Sequence, residues 1–234
     1  MHVPPARRGD CLRWMMCTGC RPGEAMRATW AQMDVEPGYW VKRSAHTKQR
    51  KTHKVPLSPP ALALLSKLRE ARKDHKNPYV FPGQDQGDSL KAINTVWYEV
   101  RALATLAIWK AGAGAQVVAD LEKRLPDTRL NEATPRFIAD CRAEAELRDI
   151  TLPVGMMDTR PYDLRHTLAS VGASGGLSLP IIGRLLGHTQ ARTTQRYAHL
   201  YDDPLKEAAT KIGTVIDNAG KAGAEIVTLN TRRS

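Results

Sequence analysis

Four short stretches of the chain hold residue types suited to work on a phosphate. They are Thr18-Gly19-Cys20-Arg21-Pro22-Gly23-Glu24, His46-Thr47-Lys48, Asp163-Leu164-Arg165-His166, and Leu185-Leu186-Gly187-His188 with Arg196-Tyr197 following. A tyrosine hydroxyl can hold a phosphoryl group as an ester and so conserve the energy of the bond it breaks. Guanidinium forks suit the non-bridging oxygens on which charge collects, and a lysine of displaced pKa can hand a proton to a departing oxygen. Singly, each residue also has a plainer use. Tyr197 could be an ordinary half-buried tyrosine, Arg21 and Arg165 could form surface salt bridges, Glu24 could simply pair with Arg21, and His188 could cap the last carbonyls of a helix. Lys48 has rivals in Lys42, Lys51 and Lys54, within a run that could be a solvated or a phosphate-binding strip.

Taken together and in this order, the stretches resemble the motif series of the tyrosine recombinases, also called the phage integrase family. TGCRPGE is similar to the T-G-x-R-x-x-E box, HTK ahead of HKVPL to the β-hairpin lysine motif, and DLRH to the H-x-L-R-H box. LLGH and the later RY resemble the L-G-H and nucleophile boxes, with Tyr197 nine positions after His188. The resemblance runs from Thr18 to Tyr197 and implies a site-specific DNA recombinase, a tyrosine-type DNA strand transferase. It implies Tyr197 as the nucleophile of a 3′-phosphotyrosyl intermediate, Arg21 and Arg165 as phosphate stabilisers, and Lys48, selected by its place after Thr47, as general acid. His188 would bond the phosphate or assist proton transfer from the nucleophile, with Glu24 and His166 supporting these groups from behind. No metal or cofactor is required in that scheme. Double-stranded DNA is the implied partner, with a homotetramer on paired sites.

Two departures from the family pattern matter. Tyr162 stands three residues before Arg165, where the family usually has histidine; a phenol can bond a phosphate there but is a poor proton carrier near neutral pH. It is a less suitable nucleophile than Tyr197. The family also carries a core-binding domain ahead of its first arginine, whereas this chain reaches Arg21 at once, so a catalytic domain alone is expected over residues 1–234. The stretch of about 107–158 exceeds the short connection expected between the lysine hairpin and the second arginine box. It is expected to be a helical elaboration, either inert or in contact with DNA or a partner.

The elements that must position these groups are read from periodicity. Leu12, Met15 and Met16 recur at helical spacing and stop at Gly19, and a new helix opens at Pro22 and continues to Met33, which places Arg21 at a junction. YWVKR and HKVPL read as two strands joined by the basic connector SAHTKQRKT. Ser58-Pro59 opens a helix through Leu68, and Asp88 to Leu106 reads as another. Helices are expected over Asp163 to Ala173, Leu179 to Leu186 and Ala191 to Ala198. Asp203-Pro204 opens a last amphipathic helix, and residues 203–234 form a C-terminal helix and tail that could dock on a neighbouring subunit in trans or pack on their own core. The fold class is α+β, mainly helical, with a small antiparallel sheet, similar to a tyrosine recombinase catalytic domain.

Composition agrees with a folded chain. At 42% hydrophobic and 25% charged residues over 234 positions, the sequence can bury a core and lies far from disorder. The net charge of +11 favours polyanions. Lys42, Arg43, Lys48, Arg50, Lys51 and Lys54 form a strip with no acidic residue, expected to track phosphates. No apolar run is long enough to span a membrane, no signal peptide opens the chain, and a cytoplasmic location without membrane partners is expected. Cys17 and Cys20 make a C-x-x-C without a second half-site, so buried thiols are expected. Two rival functions remain at this stage. A type IB topoisomerase-like enzyme would relax plasmids lacking any recombination site, and an inactive basic DNA-binding regulator would form no covalent adduct.

Overall fold

The computed structural model describes residues 5–42, 52–72, 76–85, 87–124, 135–188 and 190–221. The chain divides into two compact units, Met1–Leu168 with Leu185–Gly187, and Ala169–Arg184 with His188–Ser234.

In the first unit, helix α1 (Pro5–Thr18) buries Cys11, Leu12, Trp14 and Met15. It ends because Gly19 turns into the left-handed region at φ 60, its N–H closing on the Met15 carbonyl at 2.8 Å. Helix α2 (Pro22–Met26) follows, with Pro22 in the first turn, where its missing N–H costs nothing. The sequence reading carried this helix to Met33. The chain instead leaves it after Met26, because the Ala28 carbonyl accepts from Val80 N–H at 2.8 Å and Trp30 N–H donates to the Pro78 carbonyl at 2.9 Å. Those tertiary bonds replace the helical ladder. A 3₁₀ turn (Trp30–Gln32) and a short strand β1 (Met33–Asp34) occupy the remainder.

Strands β2 (Tyr39–Lys42) and β3 (His53–Pro56) complete an antiparallel sheet of order β1-β2-β3, in which Trp40 pairs with Val55 and Lys42 with His53. Period-2 alternation turns Trp40 inward, where its ring lies 5.4 Å from that of Trp14. Helix α3 (Pro59–Glu70) adds Ala61, Leu64 and Leu65 to this core. Helix α4 (Asn94–Lys110) starts later than expected from Asp88, since the preceding residues bond as extended chain, Leu90 N–H to the Phe81 carbonyl at 2.8 Å.

Within the elaboration, helices α5 (Ala115–Glu122) and α6 (Pro135–Leu147) join the later turns of α4. Ala102, Leu106, Trp109, Val117, Val118, Phe137, Ile138, Cys141 and Ala145 make a hydrophobic cluster there, distinct from the one around Trp14. Arg148 fastens its rim, donating to Asp120 at 2.8 Å and Glu144 at 2.6 Å.

Helix α7 (Asp163–Ser174) begins in the first unit and ends in the second. Helix α8 (Leu179–Leu186) ends at Gly187, left-handed at φ 70, and His188 N–H bonds the Gly183 carbonyl at 2.8 Å, a Schellman closure. Helix α9 (Ala191–Gln195) is shorter than expected and passes through a turn at Tyr197 into a 3₁₀ turn (Ala198–Tyr201). Helix α10 (Asp202–Lys221) carries Leu205, Ile212, Val215 and Ile216 on its surface, each more than 60% exposed. No single described helix is long and apolar enough to cross a membrane.

Candidate active site

The α1–α2 junction presents Arg21 as an exposed side chain on a rigid corner. Its Nη1 donates to Glu24 Oε1 at 2.9 Å. The other carboxylate oxygen, Oε2, accepts from Lys42 Nζ at 2.8 Å. Burial alone would raise the Glu24 pKa, but the charges and hydrogen bonds of Lys42 and then Arg21 outweigh it and hold the group down at about 2. Glu24 is therefore a carboxylate at any working pH, fixed between two cations.

Lys42 was expected on the phosphate-tracking strip, and its geometry is different. Its side chain is only 8% exposed, and the ammonium lies 4.7 Å from the centre of the Trp40 ring. The reason is strand alternation, which puts Lys42 on the same inward face as Trp40. Lys54 is exposed. Lys48, Arg43, Arg50 and Lys51 lie outside the described residues.

Arg165, in the first turn of α7, is 2% exposed. Its Nη1 donates to the Gly19 carbonyl at 2.6 Å and its Nη2 to the Leu186 carbonyl at 2.7 Å. One guanidinium thus ties the residue two before Arg21 to the residue before Gly187. Burial, followed by the neighbouring Arg21 charge, lowers the Arg165 pKa from the usual guanidinium value. Gly19 makes this approach possible, because a β-carbon there would sit 2.7 Å from the Leu186 side chain. Tyr162, at the entry to α7, is 40% exposed, and its ring meets the His166 ring edge-on with centroids 5.3 Å apart. Arg21, Glu24, Tyr162, Arg165 and His166 all belong to the first unit.

His188 and Tyr197 belong to the second unit. His188 Nδ1 lies 2.9 Å from Thr194 Oγ1, a hydroxyl whose residue is 2% exposed. The imidazole is thereby anchored through Nδ1. The backbone N–H of Tyr197 donates to the Thr194 carbonyl at 3.1 Å, so Thr194 holds both His188 and Tyr197. Tyr197 itself is 5% exposed.

Three contacts around the candidate residues were not expected from the sequence: those of Thr194, the Lys42–Glu24 pair, and His53, whose ring packs against Gly187. Alternation along Tyr39-Trp40-Val41-Lys42 was the available signal for Lys42. Thr194 and His53 carried none, since both act through contacts distant in sequence or in an irregular turn. The C-x-x-C thiols are free; burial pushes Cys20 up to about 11 and raises Cys17, which leaves both protonated near neutral pH.

A model of the phage integrase family matches residues 4–203. The integrase of Escherichia phage 186 is 36% identical over 93 residues, covering 38% of this chain and 26% of that protein. The prophage integrase IntA of Escherichia coli (strain K12) is 29% identical over 123 residues, covering 52% of this chain and 27% of that protein. The matches thus span about a quarter of these curated relatives. A solved structure of the Tn1549 transposon integrase in complex with transposon right end DNA aligns with TM-score 0.51 and 16% identity, over 89% of this chain and 59% of that one. That likeness concerns the fold.

Proposed function

Because the chain belongs to the phage integrase family, we propose that it cleaves and rejoins DNA as a site-specific tyrosine recombinase. The observation that carries this reading is the bond from Arg165 to the Gly19 carbonyl, 146 positions away in sequence, which unites the two arginine boxes in one unit. That the integrase relatives act as their names say, and that the Tn1549 transposon integrase was solved with DNA, supports double-stranded DNA as the substrate.

In the proposed reaction the Tyr197 oxygen attacks phosphorus and the bond to the 5′ sugar oxygen breaks. Arg21 and Arg165 offset charge on the non-bridging oxygens, and Lys48 supplies the proton with which the 5′ oxygen leaves as a hydroxyl. His188 bonds the phosphate or takes the phenolic proton. Tyr162 adds a hydrogen bond in place of the family's histidine. Attack by the 5′ hydroxyl of a second DNA reverses the chemistry, releases Tyr197 and conserves the phosphodiester energy. The exposed apolar side chains of α10 support docking of that helix on another copy of the chain, as a tetramer on paired sites would require.

Incubation with a nicked DNA carrying trial sites tests the reading, because loss of the short 5′ fragment traps the intermediate. A denaturation-resistant protein–DNA adduct is expected from the wild type and none from Tyr197→Phe. An adduct with Tyr197→Phe, or none from the wild type on any site its relatives use, would overturn it.

A further inference from the structure

Helix α9 is only five residues long, and its Thr194 bonds differently from other helical threonines of the chain. The hydroxyls of Thr18, Thr105 and Thr167 each donate to the carbonyl four residues back, at 2.7, 2.7 and 3.0 Å. Four residues before Thr194 stands Gln190, which is extended at φ -110 and ψ 124 and whose carbonyl accepts from Thr193 N–H at 3.1 Å. The Thr194 hydroxyl turns instead to His188 Nδ1 at 2.9 Å, its one hydrogen-bond partner among the described residues. Room for it comes from Gly183 of helix α8, where a β-carbon would lie 3.0 Å from Thr194 Oγ1. The Gly183 carbonyl also holds the histidine's backbone, accepting from His188 N–H at 2.8 Å. Gly183, His188 and Thr194 all belong to the second unit.

We infer that Thr194 is a positioning residue that fixes the tautomer of His188, its hydroxyl donating to Nδ1 so that the neutral ring carries its proton on Nε2. At 2% exposure Thr194 is shut away from water, and a buried hydroxyl donates to the acceptor within its reach. That acceptor is Nδ1, and the ring nitrogen that accepts is the one without a hydrogen. The inference deepens the proposed reaction and rests on His188 as a participant in it. Of the two roles open to His188 there, an Nε2–H suits donation to a non-bridging oxygen and leaves no lone pair on that nitrogen for the phenolic proton. Thr194 itself touches no reacting atom and acts through the imidazole.

The tautomer is read from the ¹⁵N resonances of the imidazole in the full chain without DNA, at a pH where the ring is neutral, with His188 assigned by the loss of its signals in His188→Asn. Nε2 is expected at the position of a protonated ring nitrogen and Nδ1 at that of an unprotonated one; the reverse pattern would overturn the inference. Thr194→Val, which keeps the shape and removes the hydroxyl, should blur this distinction and slow cleavage of nicked DNA by about 10-fold. Thr194→Ser, which keeps the hydroxyl, should stay within about threefold of the wild-type rate, and both variants within about threefold of its DNA affinity. Equal slowing by Ser and Val would reduce Thr194 to a packing role, and a Val variant as fast as wild type would remove it from the reaction; either result overturns the inference. Where Thr194→Val does not fold, the wild-type resonances alone decide. Wild-type protein that forms no adduct would instead overturn the recombinase reading and leave the resonances unaffected, so the two failures are distinguishable.

Discussion

Arg165 and Gly19 are joined by a 2.6 Å bond in which a buried guanidinium donates to a main-chain carbonyl. Arg21 sits two residues beyond that carbonyl with its own side chain half exposed and paired to Glu24. The same residue type therefore has different structural stakes at the two positions. Arg165 combines a structural tie with its proposed charge stabilisation, while Arg21 is held at one carboxylate and otherwise faces outward.

This asymmetry predicts different outcomes for one substitution. Arg165→Lys leaves at least one of the Gly19 and Leu186 carbonyls without its donor, and should cost about 1–3 kcal/mol in urea unfolding as well as most of the cleavage rate. Arg21→Lys should fall within roughly 1 kcal/mol of wild-type stability and still lose about 10²-fold or more in cleavage. Equal stability losses would show that the two-carbonyl tie contributes nothing to the fold.

Glu24 sets an acid limb. Its folded pKa of about 2 lies below the ordinary 4.5, so its contribution is complete above 4.5 and disappears as pH falls from there toward 2. The loss should be on the order of 3 kcal/mol for this group. Glu24→Gln should be less stable at pH 7, because Lys42 stays buried without its partner charge, and its stability should fall less steeply between pH 4.5 and 2. Urea midpoints across that range for both proteins give the comparison; parallel curves would exclude Glu24 as the titrating group.

Tyr197→Phe removes one oxygen from an enclosed side chain. Adduct formation should vanish, whereas DNA affinity should change by less than about threefold, since phosphate contacts dominate binding. Gel-shift titration of the variant tests the second half directly.

Arg50 and Lys51, on the basic strip of the sequence, are proposed to track phosphates. Neutralising both should flatten the dependence of log affinity on log salt by about two units. An unchanged slope in a salt titration would move the DNA surface elsewhere, with Lys54 and the elaboration's cations next to be neutralised.

Much of this was legible in the residues themselves. Gly19 and Gly187 announced helix ends, and both glycines occupy left-handed φ at those ends. Helices expected over Asp163 to Ala173 and Leu179 to Leu186 are observed over Asp163–Ser174 and Leu179–Leu186. What escaped was set by partners remote in sequence. The α2 overrun past Met26 could not be seen without the Pro78 to Val80 chain that captures Ala28 and Trp30. Lys42 was misread because charge was weighed before strand alternation. The arginine and histidine boxes were found from residue type and order, but the peptide carbonyls that fix Arg165 and the hydroxyl that anchors His188 leave no trace in a motif.

The burial of Arg165 links folding to ligand concentration. At 2% exposure its positive charge is solvated by two neutral carbonyls, and the nearby carboxylate of Glu24 is already shared between Arg21 and Lys42. The free protein therefore holds an electrostatic strain that an approaching phosphate diester would relieve. By mass action, any polyanion that reaches this guanidinium in the folded chain and not in the unfolded one draws the equilibrium toward the native state. On the proposed reading DNA would act as a folding ligand as well as a substrate, and the protein's thermal midpoint would gauge how fully its arginine pair is engaged.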